Sequence, residues 1–284
     1  MECIETHGCF GGTQMVWKHR SESLGCEMNV AVFLPSRVQR EPRPVLYVLS
    51  GLTCTEQNFI QKSGAQRYAE AHGLVLVGPD TSPRGEGVPD EAGDDLGQGA
   101  SFYVNATEAP WATHFRMEDY VVHELPRMIE ASFPVTEQRA ICGHSMGGHG
   151  ALTLALKHPG RYASVSALAP IVTPSSVPWG QRALSAYLGA NPAVWRAHDT
   201  CELIAQAKER LPLLVDQGDA DPFLGVHLHP EALKAACAAA GHPLTLRLQP
   251  GYDHGYYFIA SFIGDHIAHH AAALTAAPTA AKDA

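Results

Sequence analysis

The stretch that decides the fold reads Ala140-Ile141-Cys142-Gly143-His144-Ser145-Met146-Gly147-Gly148-His149-Gly150. Its first three residues form an apolar run typical of a buried strand, and Gly148–His158 has the pattern of a helix. A serine between glycines at a strand-to-helix turn is typical of a nucleophile elbow, in which a tight backbone holds the hydroxyl clear of the sheet. The sequence therefore predicts that Ser145 is a nucleophile. A phosphate-binding loop fits less well, because no Lys-Ser or Lys-Thr pair follows the glycines.

Working outward from this turn, short apolar runs alternate with helical patterns. The predicted strands are Gln14–His19, Met28–Leu34, Val45–Leu49, Leu74–Val77, Ala140–Cys142, Leu211–Val215 and Leu244–Leu248. The predicted helices are Gly64–His72, Tyr120–Ala131, Gly148–His158, Pro230–Ala240 and Tyr256–His269. Apolar runs without alternation indicate strands covered on both faces, as in a parallel sheet. The pattern predicts an α/β fold, with a mostly parallel central sheet flanked by helices on both faces and ligands at the carboxyl ends of its strands.

Length and composition narrow the class of protein. The 284 residues are 45% hydrophobic and 17% charged, which predicts one folded domain over residues 1–270, followed by an alanine-rich tail over residues 271–284. The net charge of −9 argues against nucleic acid or an anionic membrane as a partner. The sequence has no apolar run long enough to span a bilayer and no basic-then-apolar start typical of a secretory signal. Seven scattered cysteines without a CxxC pair indicate reduced thiols in a cytosolic protein.

A serine nucleophile needs a base and a carboxylate that orients the base, and in this fold class the order along the chain is Ser, acid, His. The run Leu211–Val215 leads into three candidate acids. Asp221 lies on the loop beyond the predicted strand and is the preferred acid. Asp219, as a turn residue, and Asp216, as a partly buried residue next to the strand, remain alternatives.

The base should follow the last strand and precede the last helix, which is where His254 lies. The other histidines are expected to be structural. We expect His266, His269 and His270 on the wetter face of the last helix, and His144 in packing beside the serine. No spacing predicts a metal site, and no cofactor is expected.

Two backbone amides should hold the oxyanion that forms during acyl transfer. One belongs to Met146, the residue after the serine. The other should come from the loop after Val45–Leu49, where Gly51 lets the chain turn inward. Leu52 is the first choice for this amide and Thr53 is the second.

Several stretches together resemble the S-formylglutathione hydrolases, also called esterase D, of the α/β-hydrolase superfamily. These are Cys9–Gly12, Leu49–Phe59, Gly78–Gly85, Gly99–Thr107, Gly143–Ala151, Asp216–Gly218, Asp221–Phe223 and Tyr252–Tyr257. The resemblance implies an α/β-hydrolase fold and a serine thioesterase that converts S-formylglutathione to formate and glutathione in formaldehyde detoxification, with side activity on small carboxyl esters. It also implies a cytoplasmic homodimer.

The resemblance carries over to particular residues. Ser145, Asp221 and His254 match the catalytic triad of the family, and Cys54 matches a cysteine near the active site, where it is either a buried small residue or a redox modulator. The sequence departs from the family at Gly93–Leu96, where many relatives have an aromatic residue, so the wall of the pocket there should differ.

Pocket residues and rival functions are less constrained by the sequence. Phe102, Tyr103 and Trp179 are candidate wall residues, and Lys62 and Arg84 are candidate partners for the anionic glutathione. A general carboxylesterase or feruloyl-type esterase would use the same triad with a different pocket. A non-catalytic binding module on the same scaffold would normally lack the serine or the histidine, and both are present.

Overall fold

The computed structural model describes residues 1–275, which form a nine-stranded sheet with helices on both faces. The strands are β1 (Glu2–Cys9), β2 (Gly12–Arg20), β3 (Glu27–Leu34), β4 (Arg43–Leu49), β5 (Val75–Pro79), β6 (Val135–His144), β7 (Val165–Leu168), β8 (Leu213–Gly218) and β9 (Leu244–Gln249). The helices are α1 (Glu56–Lys62), α2 (Ala65–His72), α3 (Met117–Asp119), α4 (Leu125–Ser132), α5 (Met146–Lys157), α6 (Pro178–Leu188), α7 (Pro192–Trp195), α8 (Thr200–Ala205), α9 (Pro230–Ala240) and α10 (Tyr256–Thr275).

The sheet has the strand order β1-β2-β3-β5-β4-β6-β7-β8-β9. Its first three strands pair antiparallel, β3 pairs antiparallel with β5, and all later pairs are parallel. The predicted α/β-hydrolase architecture is therefore confirmed. Because β4, β6, β8 and β9 run in the same direction, the loops that follow them meet at one edge of the sheet, and these loops carry the candidate site.

The centre of the sheet is buried on both faces, as its apolar runs predict. Every residue from Pro44 to Leu49 in β4 is buried, and so is all of β8. By contrast, β9 is an edge strand in which Leu248 is 51% exposed, so its apolar sequence does not indicate cover on both faces. Several elements had no strong sequence signal, namely β1, β7, α6 and α8.

The last helix is longer than its sequence pattern predicts. Helix α10 continues to Thr275, five residues into the segment that we expected to be a tail, because Ala271 and Leu274 are buried against the core. Residues 276–284 of that segment lie outside the described residues. No helix within residues 1–275 has both the length and the apolar character needed to cross a membrane.

Candidate active site

Ser145 lies at a sharp turn between β6 and α5, as the sequence predicts. Its φ of 57° and ψ of −119° place it in a strained region that non-glycine residues rarely occupy. The strain is maintained by close packing. A Cβ on Gly143 would lie 2.0 Å from the Gly147 carbonyl oxygen, and a Cβ on Gly147 would lie 2.0 Å from that of Leu49. Only glycine fits these two positions, so the turn holds the serine at the amino end of α5.

Asp221 and His254 meet at the carboxyl edge of the sheet. The Asp221 side chain is fully buried, and its Oδ2 accepts a hydrogen bond of 2.6 Å from His254 Nδ1. Because an ionised carboxylate only accepts, Nδ1 carries the proton and Nε2 is left as the basic nitrogen. Asp221 also accepts hydrogen bonds from the backbone N–H of Phe223 at 2.8 Å and from Gln217 Nε2 at 3.1 Å.

The loops that carry these two residues are held together by backbone contacts. The Ala220 N–H donates to the Tyr252 carbonyl at 3.1 Å, and a Cβ on Gly218 would lie 2.2 Å from the same oxygen. The loop after β8 and the loop after β9 are therefore packed against each other through the backbone. This arrangement fixes the spacing between Asp221 and His254.

A cavity of about 250 Å³ contains both Ser145 and His254 in its wall. Its other lining residues are Gly51, Leu52, Thr53, Cys54, Asp94, His144, Trp179, Phe223 and Tyr256. Among the described residues no hydrogen bond joins the Ser145 hydroxyl to the His254 ring. Such contacts are commonly long in a free enzyme and shorten when substrate binds. The cavity is mostly apolar, which suits a small uncharged acyl group.

The two predicted oxyanion amides have no competing acceptor. Within residues 1–275 the Leu52 N–H makes no hydrogen bond to the protein, whereas the Thr53 N–H donates to the Gly99 carbonyl at 3.0 Å. Met146 is the first residue of α5, so its N–H has no partner one turn earlier in the helix. The geometry therefore favours Leu52 over Thr53. A Cβ on Gly51 would lie 3.1 Å from Ser145 Cβ, so this loop closely approaches the nucleophile.

Comparisons with known proteins agree with this geometry. A family model described as an esterase matches residues 21–269. A solved S-formylglutathione hydrolase from Agrobacterium tumefaciens is 48% identical, with 96% of this chain and 100% of that chain covered and a TM-score of 0.94. The chain belongs to the S-formylglutathione hydrolase family of esterases. It is therefore a serine hydrolase.

Two more distant structures agree with the fold and carry no information on function. A fluorophosphonate-binding serine hydrolase from Staphylococcus aureus is 22% identical, with 93% of this chain and 99% of that chain covered and a TM-score of 0.74. A ferulic acid esterase from Anaeromyces mucronatus is 17% identical, with 95% of this chain and 93% of that chain covered and a TM-score of 0.69. The scaffold is thus shared by proteins whose sequences are only 17–22% identical to this chain.

The two alternative acids make other contacts in this esterase. Asp219 Oδ1 accepts a 2.6 Å hydrogen bond from the Gly251 N–H, which makes Asp219 a loop-bracing residue. Asp216 is fully buried and binds Arg247, Gln249 and His266, so all its contacts lie away from His254. Burial raises the pKa of Asp216, but these hydrogen bonds outweigh it and lower the pKa to about 2. Asp221 is the acid among the three that contacts His254.

The expectation that the histidines of the last helix are solvent-exposed is wrong for two of them. His266 and His270 are both 0% exposed, and Ser166 lies between them, 2.8 Å from His266 Nδ1 and 2.7 Å from His270 Nε2. The hydrogen bond of 2.9 Å to Asp216 raises the pKa of His266 to about 9, although burial opposes this shift. His269 is half-buried. The sequence signal for this network was the spacing of four between His266 and His270, which places both on one face of the helix.

The expected wall residues divide into two groups. Trp179 lines the cavity and packs on Phe223, with ring centroids 4.7 Å apart. Phe102 and Tyr103 were expected there, but they lie behind the elbow and are at most 1% exposed. The Tyr103 hydroxyl donates to the Ser50 carbonyl at 2.9 Å, so it braces the oxyanion loop from inside. At the segment where the sequence departs from the family, Asp94 forms the cavity wall.

Of the remaining candidates, His144 and Cys54 line the cavity, whereas Arg84 is not among its lining residues. His144 packs against His254 with ring centroids 4.6 Å apart, and burial lowers its pKa well below the ordinary value, so it is a neutral packing partner. Cys54 lines the cavity, and burial raises the pKa of its thiol. Arg84 is bound to Asp80 at 3.0 Å and to the Cys54 carbonyl at 3.0 Å, so it braces this loop. Its role as a glutathione ligand is thus disfavoured.

Proposed function

We propose that this enzyme hydrolyses S-formylglutathione to formate and glutathione, with Ser145 as nucleophile, His254 as general base and Asp221 as the orienting acid. One observation carries this proposal: Asp221 hydrogen-bonds His254 in the wall of the same cavity that holds Ser145 at a strained elbow. The substrate is proposed from the Agrobacterium tumefaciens S-formylglutathione hydrolase at 48% identity. The mostly apolar cavity suits a formyl group, and activity on small carboxyl esters follows from the same chemistry.

The reaction proceeds in two acyl-transfer steps. His254 Nε2 takes the Ser145 proton as Oγ attacks the formyl carbonyl, while Asp221 stabilises the imidazolium. The amides of Leu52 and Met146 bind the oxyanion, and each such donor contributes about 10²–10³ in rate. The carbon–sulfur bond then breaks, and the leaving thiolate takes the proton from His254. Water attacks the formyl ester by the same route and releases formate.

The cellular setting is proposed on separate grounds. All seven cysteines are free thiols, which agrees with a reducing compartment, and glutathione is a thiol of such compartments. We propose a cytoplasmic enzyme that acts in formaldehyde detoxification, and a homodimer as the family resemblance implies. Sedimentation of the purified protein and fractionation of cells that express it test these two assignments.

The test of the reaction compares two substrates and two proteins. The wild-type enzyme should hydrolyse S-formylglutathione with a higher kcat/KM than p-nitrophenyl acetate. Ser145→Ala should lose about 10⁴-fold or more in kcat on both substrates, lose labelling by a fluorophosphonate, and keep its melting temperature. A preference for the aryl ester by orders of magnitude would instead identify a general carboxylesterase. Retained turnover in Ser145→Ala would exclude Ser145 as the nucleophile.

A further inference from the structure

The cavity at Ser145 is too small for the whole of a glutathione thioester. Sites for ligands of this size have volumes of about 300–1,000 Å³, whereas this cavity has about 250 Å³. The formyl group and the sulfur must lie at Ser145 for reaction, so the peptide arms of the thiol have to extend past the rim. This step rests on the proposed function.

Tyr256 marks one route out of the cavity. Its ring lines the cavity on one side, and Lys62 Nζ stands 5.4 Å from its centroid. Beyond Lys62 lies a cleft of about 450 Å³. We call it the cationic cleft, and its lining includes Cys9, Phe10, Lys62, Arg67 and Tyr68. Lys62 therefore belongs to the wall of the cleft and also contacts a residue of the reaction cavity.

The charges in the cationic cleft have one sign. Among its described lining residues the charged ones are Lys62 and Arg67, and within residues 1–275 neither side chain forms a salt bridge. The protein as a whole has a net charge of −9, so the charge of this cleft is opposite in sign to that of the protein. The negative net charge of the protein cannot attract an anionic ligand over a long range. Recognition of a carboxylate therefore requires local cations such as this pair.

Aromatic contacts orient the Arg67 guanidinium. Its guanidinium carbon lies 5.3 Å from the Phe10 ring centroid and 5.9 Å from that of Tyr68. Stacking on aromatic faces orients the planar guanidinium while its N–H groups stay free at the edge. A carboxylate can bind such an edge through two parallel hydrogen bonds. The contact with Arg67 accounts for the surface position of Phe10, which is 52% exposed.

We propose that Lys62 and Arg67 form a subsite for the two carboxylates of the glutathione portion of the substrate. The thioester would lie at Ser145, the cysteinyl part would cross Tyr256, and the γ-glutamyl and glycyl carboxylates would reach the cationic cleft. The subsite confers preference for acidic thiols and takes no part in the chemical steps.

The first test separates charge recognition from chemistry. Lys62→Gln and Arg67→Gln should each raise KM for S-formylglutathione about three- to tenfold with little change in kcat. Turnover of p-nitrophenyl acetate, which has no carboxylate, should stay within about twofold. Lys208→Gln removes an exposed lysine outside both cavities and should leave both substrates unchanged. The double variant should also lose most of the salt dependence of KM.

The second test measures binding without reaction. S-methylglutathione has the same two carboxylates and no scissile bond, so its Kd by calorimetry should rise about tenfold or more in the double variant. Unchanged binding, or equal losses on both reaction substrates, overturns the subsite. If the wild type does not hydrolyse S-formylglutathione, the proposed function fails, and the S-methylglutathione titration still decides whether the cationic cleft binds this thiol.

Discussion

Replacing Asp221 by Asn should test the proposed role of this acid more sharply than a deletion of its side chain. The two carboxylate oxygens have different partners: Oδ1 accepts from the Phe223 N–H, and Oδ2 accepts from His254 and Gln217. Asparagine keeps one oxygen and presents an NH₂ group at the other position. The effect on activity depends on which oxygen is replaced.

The surrounding donors decide the orientation of the new amide. An NH₂ group at the Oδ1 position would meet the fixed backbone N–H of Phe223, which leaves a buried donor unsatisfied at a cost of about 1–3 kcal/mol. At the Oδ2 position it would meet His254 and Gln217, and both can adapt. The Gln217 Oε1 atom is buried without a partner, so rotation of this amide by 180° provides an acceptor, at the expense of the hydrogen bond from Gln217 Nε2 to the Gly218 carbonyl.

His254 adapts by changing tautomer, and this change removes the base. With an NH₂ donor opposite Nδ1, that nitrogen becomes the acceptor and the proton moves to Nε2, which can then no longer take the Ser145 proton. The expected loss in kcat is about 10⁴-fold, as for a triad in which the histidine is held in the wrong tautomer. The melting temperature should fall, because the rotated Gln217 amide no longer donates to the Gly218 carbonyl and its NH₂ group takes a buried position where Oε1 had no partner.

Asp219→Asn is the matched control, two residues away on the same loop. Asp219 binds one donor, the Gly251 N–H, and the oxygen of asparagine can keep that hydrogen bond. We expect kcat within about threefold of the wild type. With either substrate, S-formylglutathione or p-nitrophenyl acetate, Asp221→Asn should lose far more kcat than Asp219→Asn. The reasoning is refuted if Asp219→Asn is the more damaging change, or if Asp221→Asn retains more than about a tenth of the activity.

Two further predictions follow from contacts behind the site. Tyr103→Phe removes the hydroxyl that binds the Ser50 carbonyl and should lower kcat about three- to tenfold with KM unchanged; a rise in KM alone would contradict a bracing role. Because the folded pKa of His266 is raised to about 9, its stabilisation is complete below its ordinary pKa of about 6.5 and is lost as pH rises through about 9. Urea unfolding should therefore show a fall on the order of 2–3 kcal/mol across that range, and His266→Gln should flatten it, whereas an unaltered slope would assign the effect to other groups.

Local patterns predicted the parts of the molecule that depend on neighbours in sequence. The glycines around Ser145 predict the elbow because the turn itself needs them. The strand-end positions of Asp221 and His254 follow from parallel topology. Leu52 is favoured over Thr53 because the Thr53 N–H donates to the Gly99 carbonyl. No local sequence pattern reveals that contact.

Contacts between distant segments account for the errors. Phe102 and Tyr103 resemble pocket aromatics in sequence, but φ values of 48° and 52° turn this segment behind the elbow. His266 was expected on the wetter face of the last helix, but it is buried and binds Asp216, 50 residues earlier. Strand β9 is partly exposed although its sequence suggested a buried strand. The sequence of a strand does not show whether that strand lies at the edge of the sheet.

The glycine contacts around Ser145 also set limits for protein engineering. A library that randomises Gly143 or Gly147 in search of new substrates will mostly yield inactive clones, because an added carbon would lie 2.0 Å from a backbone carbonyl oxygen. Trp179 and Phe223 offer better starting positions. Phe223 holds the acid through its main chain, so its ring can be exchanged for a smaller group while that tether survives. Broader acyl scope is therefore accessible from the aromatic wall.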